Sequence, residues 1–116
     1  MAVCYNSCMD LLNKKCVPCE GGTKPLEQDK INTYLPVLKD KWVVIDDKKI
    51  KHEFKFKDFK QAITFINKVA EVAESEGHHP DIYVFYNKVV IELWTHAIGG
   101  LSENDFIVAA KIEPLT

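Results

Sequence analysis

The segment from Phe59 to Glu76 constrains the fold of this chain more than any other feature of the sequence. Apolar side chains recur in it every three or four residues, which is the spacing of one buried helix face. These side chains belong to Phe59, Ala62, Ile63, Ile66, Val69, Ala70 and Ala73. Asp58 and Gln61 fit a capping box at its start. Gly77 suits the left-handed residue that ends a helix, and Pro80 prevents continuation, so we predict one long helix.

Two pairs of strand-like segments flank this helix, and each pair is typical of a β-hairpin. Residues 42–45 are β-branched and aromatic, and apolar and charged residues then alternate over 49–56, as in a strand with one wet face. After the helix, residues 82–86 and 89–95 form a second pair of apolar runs. The asparagine and lysine at 87–88 separate them, which predicts a tight two-residue loop.

A shorter helix over residues 26–35 and a final helix that begins at Ser102 complete the pattern. The order helix, hairpin, helix, hairpin, helix predicts an α+β fold, αββαββα, with a four-stranded antiparallel sheet and helices packed on one face. One face of the second hairpin is unusually apolar for a small monomer, because it carries Tyr83, Phe85, Val90 and Trp94. We therefore expect a second subunit or a ligand to cover part of it.

Composition fits one soluble globular domain, since the 116 residues are 47% hydrophobic and 28% charged. The net charge is −2, and the lysines alternate with acids, so a nucleic-acid surface is not expected. No apolar run approaches the ~20 residues of a membrane span, and the N-terminus lacks the pattern of a secretory signal. We predict a cytoplasmic protein and leave the nucleus open as a second location.

All four cysteines fall within the first 19 residues, as Cys4, Cys8, Cys16 and Cys19. The C-x3-C-x7-C-x2-C spacing could close a four-thiolate zinc site, although only its second half has a spacing typical of such sites. We favour a reduced segment instead, because cysteines in cytosolic proteins are mostly reduced. Glycines and a proline mark a boundary near residue 24. We predict a flexible cysteine-bearing extension over 1–24 and the folded domain over 25–116.

Three of the four histidines lie at element ends, with His78 and His79 after the long helix and His96 after the last strand. Imidazole titrates near neutral pH, at about 6.5 when unperturbed, so a cluster of imidazoles suits proton transfer. Glu74 lies in the last helical turn and could hydrogen-bond one of them. If the helix packs on the sheet, these groups could meet at one edge. The fourth histidine, His52, belongs to the apolar-facing side of a strand and is expected to be structural.

Other interpretations of the histidines remain open at this point. Three histidines and a glutamate could bind a metal ion, but adjacent histidines rarely ligate one ion together, and no H-x-E or H-x3-H spacing occurs. Each histidine taken singly is more often a polar residue that closes an element. Nucleophilic catalysis has little support, because no serine or cysteine lies in a recognisable activated setting near the cluster.

Several motifs follow one another in a fixed order. They are Glu74-x3-His78-His79-Pro80, then Tyr86-Asn87-Lys88-Val89, then Thr95-His96-x3-Gly100-Leu101-Ser102-x2-Asp105, preceded by Trp42 and Phe56-Lys57-Asp58-Phe59. Together they resemble the pterin-4a-carbinolamine dehydratases over roughly residues 25–113. The run from Cys16 to Gly22 also resembles a leader found in some members of that family.

The resemblance implies an αββαββα subunit in a homodimer or homotetramer, and a hydro-lyase that needs no metal or other cofactor. The implied substrate is a 4a-hydroxytetrahydropterin, which forms when aromatic amino-acid hydroxylases oxidise their pterin cofactor. Loss of water gives a quinonoid dihydropterin for tetrahydrobiopterin recycling, which implies a functional link to such a hydroxylase. Animal members of the family also stabilise dimers of a homeodomain transcription factor. A protein-interaction role is therefore the alternative function.

The resemblance also implies roles for individual residues. His78 and His96 take the acid and base roles, without an assignment of which is which. His79 binds the pterin and assists proton transfer, and Glu74 orients and tunes the imidazoles.

Three further residues are implied as substrate-binding positions. Trp42 matches an aromatic residue that lines the family's pocket, although packing under the first hairpin is an equally good role for it. Pro80 and Thr95 shape the pocket walls through their backbone positions. No metal ligand is assigned.

Overall fold

The computed structural model describes Leu11, Cys16 and residues 24–116 of the chain. In chain order the elements are helix α1 (Gln28–Tyr34), strands β1 (Val43–Ile45) and β2 (Lys49–Lys55), helix α2 (Phe59–Glu76), strands β3 (Asp81–Phe85) and β4 (Lys88–Leu93), and helix α3 (Glu103–Ile112). Short 3₁₀ turns follow α1, β4 and α3, at Leu35–Val37, His96–Ile98 and Glu113–Leu115. The order is the predicted αββαββα.

The strands form one antiparallel sheet in the order β1-β2-β4-β3. The two hairpins therefore meet through β2 and β4, where Ile50 lies opposite Leu93 and Phe54 opposite Val89. Helix α2 packs against β4 and α3. The side chains of β2 and β4 that face these helices belong to the buried core. The α+β prediction, with a four-stranded sheet and helices on one face, is confirmed.

Helix α2 has the predicted length and the predicted ends. The Asp58 carboxylate accepts the Gln61 N–H at 2.9 Å, and Gly77 adopts a φ of 64° at the other end. The buried stripe differs from the predicted one, because Phe65 is buried whereas Phe59 is half exposed. The reason is a cross-element aromatic contact, since the Phe65 ring lies 4.9 Å from the rings of Phe54 and Phe56 on or beside β2.

The second hairpin turns one residue earlier than the sequence predicted. Its loop consists of Tyr86 and Asn87, and Tyr86 takes the positive φ of 52°. Asn87 is held by the end of the first hairpin, because its carbonyl accepts the Phe56 N–H at 2.8 Å and its amide donates to the Phe56 carbonyl at 3.1 Å. Val84 consequently pairs with Val89 and not with Ile91. This slip is two residues, an even number, so every side chain keeps its predicted face.

Two residues from the predicted N-terminal extension pack against the domain. Leu11 belongs to the hydrophobic core and is only 1% exposed, and Cys16 is half-buried against the same cluster. At these positions the extension contacts the domain over residues 25–116. The flexibility of 1–24 as a whole stays a prediction, and Cys4, Cys8 and Cys19 lie outside the described residues.

Strand β3 forms one edge of the sheet, and together with the loop residue Tyr86 it carries most of the exposed large apolar side chains of the described residues. Tyr83, Val84, Phe85 and Tyr86 are all exposed, and Phe85 is 61% exposed. Val90 and Trp94, which share the predicted apolar face, are more covered than this group. Among the described residues, no helix combines the length and the apolar character that crossing a membrane requires.

Candidate active site

A cavity of about 640 Å³ lies where the end of α2, the end of β4 and the start of α3 meet. Five of the seven residues singled out from the sequence line it, namely His78, His79, Pro80, Thr95 and His96. Helix α2 delivers the first three, because Gly77 ends the helix in a left-handed turn and directs the chain towards β3. Strand β4 delivers the other two. Antiparallel packing thus joins positions that are far apart in the chain.

His78 is anchored by a buried carboxylate. Its Nε2 lies 2.6 Å from Oδ1 of Asp105, whose side chain is fully buried. The other carboxylate oxygen accepts the Thr95 hydroxyl at 2.8 Å and the Ser102 N–H at 2.9 Å. A carboxylate in its charged form can only accept hydrogen bonds, so in this contact the hydrogen lies on Nε2 of His78. Proton exchange at this imidazole then falls to Nδ1.

Asp105 is a site contact that sequence reasoning did not assign. The sequence placed it at the capping-box position of the last helix, and it does accept the N–H of the N-cap residue Ser102. The same carboxylate reaches the histidine at the other side of the cavity. The signal that could have identified it is a helix-capping acid nine residues after His96, close in sequence to the end of β4.

His79 and Glu74 form a second, more exposed pair. The His79 Nε2 lies 2.5 Å from Glu74 Oε2, and both side chains are mostly accessible. Glu74 therefore contacts His79 and not His78, and it lies outside the cavity wall. Ion pairs this exposed contribute little to stability, so the contact bears on the orientation of the imidazole.

His96 lies against an aromatic residue. It begins the 3₁₀ turn after β4, and its ring centroid is 3.9 Å from that of Trp94, with the planes 31° apart. The Trp94 indole N–H donates to Asp81 Oδ2 at 3.1 Å. Both Trp94 and Asp81 line the cavity, and sequence reasoning assigned neither of them to the site.

Trp42 lies apart from the cavity. It is almost fully buried, its indole N–H donates to Glu113 Oε2 at 3.0 Å, and its ring packs against Phe54. The structure thus places it under the first hairpin, which was the second of the two roles considered for it. Its contact with substrate stays a prediction, whereas Trp94 does line the cavity.

Cys16 closes one side of the cavity. Its backbone N–H donates to Glu76 Oε1 at 2.9 Å, and its thiol lies 3.7 Å from the Asn104 carbonyl oxygen. Glu76 also pairs with Lys111 at 2.6 Å, which ties the end of α2 to α3. Burial, and then the negative charge of Glu76, raise the pKa of the Cys16 thiol to about 12. The thiol is therefore protonated at neutral pH.

The sequence left two kinds of metal site open, one on the histidines with a glutamate and one on the four cysteines. Within Leu11, Cys16 and residues 24–116, no three histidine, cysteine or acidic side chains converge as metal ligands would. Cys16 contacts Glu76 and Asn104. The other three members of the predicted four-cysteine set fall on residues that the structure does not describe.

A family model and several known proteins each match most of the chain. A family model described as pterin 4 alpha carbinolamine dehydratase matches residues 24–115. Relatives named as pterin-4-alpha-carbinolamine dehydratases are 49% identical over 104 residues in Alkaliphilus metalliredigens and 52% identical over 106 residues in Nitrosospira multiformis. These alignments cover 90% and 91% of this chain and 94% and 92% of the relatives.

A solved structure shares the fold as well. The transcriptional coactivator/pterin dehydratase from Brucella melitensis superposes with a TM-score of 0.74 at 35% identity, over 79% of this chain and 98% of that one. The resemblance seen in the ordered motifs is therefore confirmed, as is the prediction of a hydro-lyase. The chain belongs to the pterin 4 alpha carbinolamine dehydratase family.

Proposed function

We propose that this protein removes water from a 4a-hydroxytetrahydropterin, with His78 and His96 as general acid and base. The observation that carries the proposal is the presence of both imidazoles on one cavity of about 640 Å³. Small-molecule sites in proteins usually measure ~300–1,000 Å³, so a bicyclic pterin is a suitable occupant. The family match and the names of the relatives support the substrate class.

The proposed elimination breaks the bond between C4a and the hydroxyl oxygen and forms a double bond between C4a and N5. The acid donates a proton to the departing hydroxyl, which leaves as water. The base accepts the proton of N5, and the electron pair of that N–H bond completes the new double bond. One imidazole starts protonated and the other neutral, they exchange states during turnover, and solvent resets them.

Asp105 has a positioning role in this proposal. Its contact with Nε2 of His78 fixes the ring and the tautomer, so the same nitrogen of His78 exchanges the proton in every cycle. The acid and base roles stay interchangeable between His78 and His96, because either imidazole can serve a hydroxyl that departs from its own side.

His79 and Glu74 occupy the rim in this proposal. The exposed His79 imidazole, oriented by Glu74, binds the pterin and assists proton transfer. Pro80 and Thr95 define the walls on either side, and Thr95 also holds Asp105 through its hydroxyl.

Stopped-flow dehydration of a 4a-hydroxytetrahydropterin tests the catalytic assignment. We expect His78→Ala and His96→Ala each to lower kcat, and the double variant to lose about 10²–10⁴-fold, the usual contribution of acid–base catalysis. His52→Gln is the matched control, because this fourth histidine lies on β2, outside the cavity wall, and its Nδ1 contacts the Lys41 carbonyl. A loss of tenfold or less in the double variant would overturn the assignment.

We further propose that the protein works as a homodimer or homotetramer, linked to an aromatic amino-acid hydroxylase that supplies its substrate. The exposed aromatic residues on the edge strand β3 support the first part. For the second part, the chain added to a hydroxylase assay should raise the rate at which tetrahydropterin is regenerated by a reductase. An unchanged rate would contradict the link.

The alternative function is stabilisation of a transcription-factor dimer. The Brucella melitensis protein carries the words transcriptional coactivator in its name, alongside pterin dehydratase. A pull-down with a dimeric homeodomain factor separates the two functions. Binding that survives in the His78→Ala/His96→Ala variant would support this second role, and absence of binding in wild type would remove it.

A further inference from the structure

A hydrogen bond between Trp94 and Asp81 directly links the two segments that carry the cavity histidines, in addition to the indirect link through Asp105. His78 and His79 precede Asp81 in the loop after α2, and His96 follows Trp94 at the end of β4. The Trp94 indole N–H donates to Asp81 Oδ2 at 3.1 Å. The backbone ladder between β3 and β4 ends at the pair Asp81–Glu92. Trp94 therefore lies beyond the ladder, and its side chain makes the connection.

The indole of Trp94 is also in contact with the imidazole of His96. The ring centroids are 3.9 Å apart and the planes are inclined by 31°, so the two rings are in close, tilted contact. A side chain pressed against an aromatic face has few rotamers available to it. The contact with the indole therefore restricts the orientation of the His96 ring. The hydrogen bond to Asp81 in turn restricts the orientation of the indole.

We propose that Trp94 and Asp81 are positioning residues for His96, which rests on the function proposed above. The indole holds the His96 ring in the orientation needed for proton transfer. The hydrogen bond to Asp81 fixes the indole relative to the loop that carries His78. The distance between the two catalytic imidazoles is thereby set by side chains, at the point where the strands no longer pair.

The surroundings of Trp94 fit a positioning role better than a core role. Its side chain lies at the cavity wall and is only partly buried. Lys49 Nζ lies 5.6 Å from the indole centroid and pairs with Glu92 at 3.2 Å. A charged pair beside the ring is typical of the molecular surface, whereas the buried core lies on the other face of β4.

A double-mutant cycle with His96 tests the proposal. Trp94→Leu should lower kcat about 10- to 100-fold, the cost of a misplaced catalytic group, and leave KM within twofold. In a His96→Ala background the same change should cost less than twofold, because the residue that it positions is absent. Equal losses in both backgrounds, or a loss carried by KM alone, would overturn the proposal. Tyr83→Phe, at an exposed position of the same hairpin, is the control and should change neither constant.

Variants of Asp81 test the hydrogen bond. Asp81→Leu and Trp94→Phe remove opposite ends of it while they keep a side chain in place, so they should give equal losses of kcat. The double variant should be no worse than either single variant. Asp81→Asn retains an oxygen that accepts the indole N–H and should restore activity to near wild type. A loss in Asp81→Asn equal to that of Asp81→Leu would overturn this step.

Tryptophan fluorescence provides a readout that needs no substrate. A protonated imidazole in contact with an indole quenches its emission more than a neutral one does. The second tryptophan, Trp42, lies 5.5 Å from the ring of His52, so the measurement is made in a His52→Gln background. In that background the pH-dependent part of the emission should vanish on addition of Trp94→Phe or His96→Gln but persist on addition of His79→Gln. Persistence in His96→Gln would overturn the contact. This result is independent of dehydration, so failure of the enzymatic proposal and failure of this one are distinguishable.

Discussion

The two carboxylate oxygens of Asp105 have different partners, one in the candidate active site and the others at the end of β4 and the start of α3. Oδ1 contacts the imidazole of His78, and Oδ2 accepts the Thr95 hydroxyl and the Ser102 N–H. Because the carboxylate is fully buried, each of these partners replaces water that cannot reach it. Positioning of the histidine and stability of the helix start are therefore coupled at one residue.

Asp105→Asn tests this coupling. The amide keeps the volume, but its NH₂ end cannot accept a hydrogen bond, so one side of the network is lost. We expect a loss of about 1–3 kcal/mol in the free energy of unfolding, together with a lower kcat. Urea unfolding and stopped-flow dehydration measure the two effects. Asp58→Asn is the matched control, since this N-cap also accepts a backbone N–H and asparagine caps equally well. Equal effects from the two substitutions would contradict the coupling.

Cys16 should make the free energy of unfolding depend on pH in the alkaline range. Its pKa is raised to about 12 by burial and by Glu76, from an ordinary value of 9.0. Between these values the unfolded chain binds fewer protons than the folded one, so the free energy of unfolding should fall as pH rises above 9. Urea unfolding at pH 8 and pH 10.5 measures this slope, and Cys16→Ser should reduce it. An unchanged slope in the serine variant would contradict the expectation.

The residues of the site show what sequence reasoning can and cannot reach. The three cavity histidines were found because their side-chain chemistry is rare and they fall at element ends. Asp105 and Trp94 were assigned only to a helix cap and a hairpin face, because their partners lie 27 and 13 positions away. The family resemblance implied that Trp42 lines the pocket. In the structure its indole donates a hydrogen bond to Glu113, which is 71 positions away in the chain and could not be inferred from local sequence.

At the scale of elements, the turn that ends α2 determines where His78 and His79 lie. Gly77 has a φ of 64°, and its N–H and that of His78 return to carbonyls of the last helical turn. A left-handed residue here turns the chain away from the helix axis, so His78 reaches the cavity wall two residues after the helix ends.

Gly77→Ala measures the cost of that turn. A Cβ at this position would meet nothing within 4 Å, so any effect comes from the backbone conformation and not from a clash. We expect a loss of about 1–2 kcal/mol in the free energy of unfolding, as for other residues forced into left-handed geometry. Gly77→Asn, which tolerates that geometry, should lose less. Equal losses from the two substitutions would contradict this explanation.

The elements were predicted correctly where the spacing of apolar residues along the chain determines them. Helix α2 and the faces of the second hairpin follow from spacing alone. The loop of that hairpin was placed one residue late, because asparagine favours the positive φ that Tyr86 adopts here. The deciding contact is the pair of hydrogen bonds between Asn87 and Phe56, which belongs to tertiary packing.

At the scale of the whole molecule, the two edges of the sheet differ. The edge strand β3 and the loop residue after it carry four exposed large apolar residues over 83–86, whereas β1 carries only Val43. Unpaired strand edges with apolar side chains tend to associate. The difference favours β3 as the side on which copies of the chain meet.

Phe85→Lys should shift the proposed oligomer towards monomers. Phe85 is 61% exposed, so the change leaves the folded subunit intact and places a charge on the association surface. Light scattering at several protein concentrations measures the mass. Val43→Lys, at a residue 60% exposed on the opposite edge, is the matched control and should keep the wild-type mass. A monomeric wild type, or dissociation by both substitutions, would contradict the expectation.

The burial of Leu11 means that the segment matched by the family model is smaller than the unit that packs. The family match begins at residue 24, yet a side chain upstream of it is 1% exposed within the core. A chain shortened to the matched residues would open a void where Leu11 lay, with a cost of about 2–5 kcal/mol in the free energy of unfolding. Leu11→Ala in the full chain should lose a comparable amount, as measured by urea unfolding of the two proteins. An unchanged free energy of unfolding in both would mean that the folded unit begins where the family match begins.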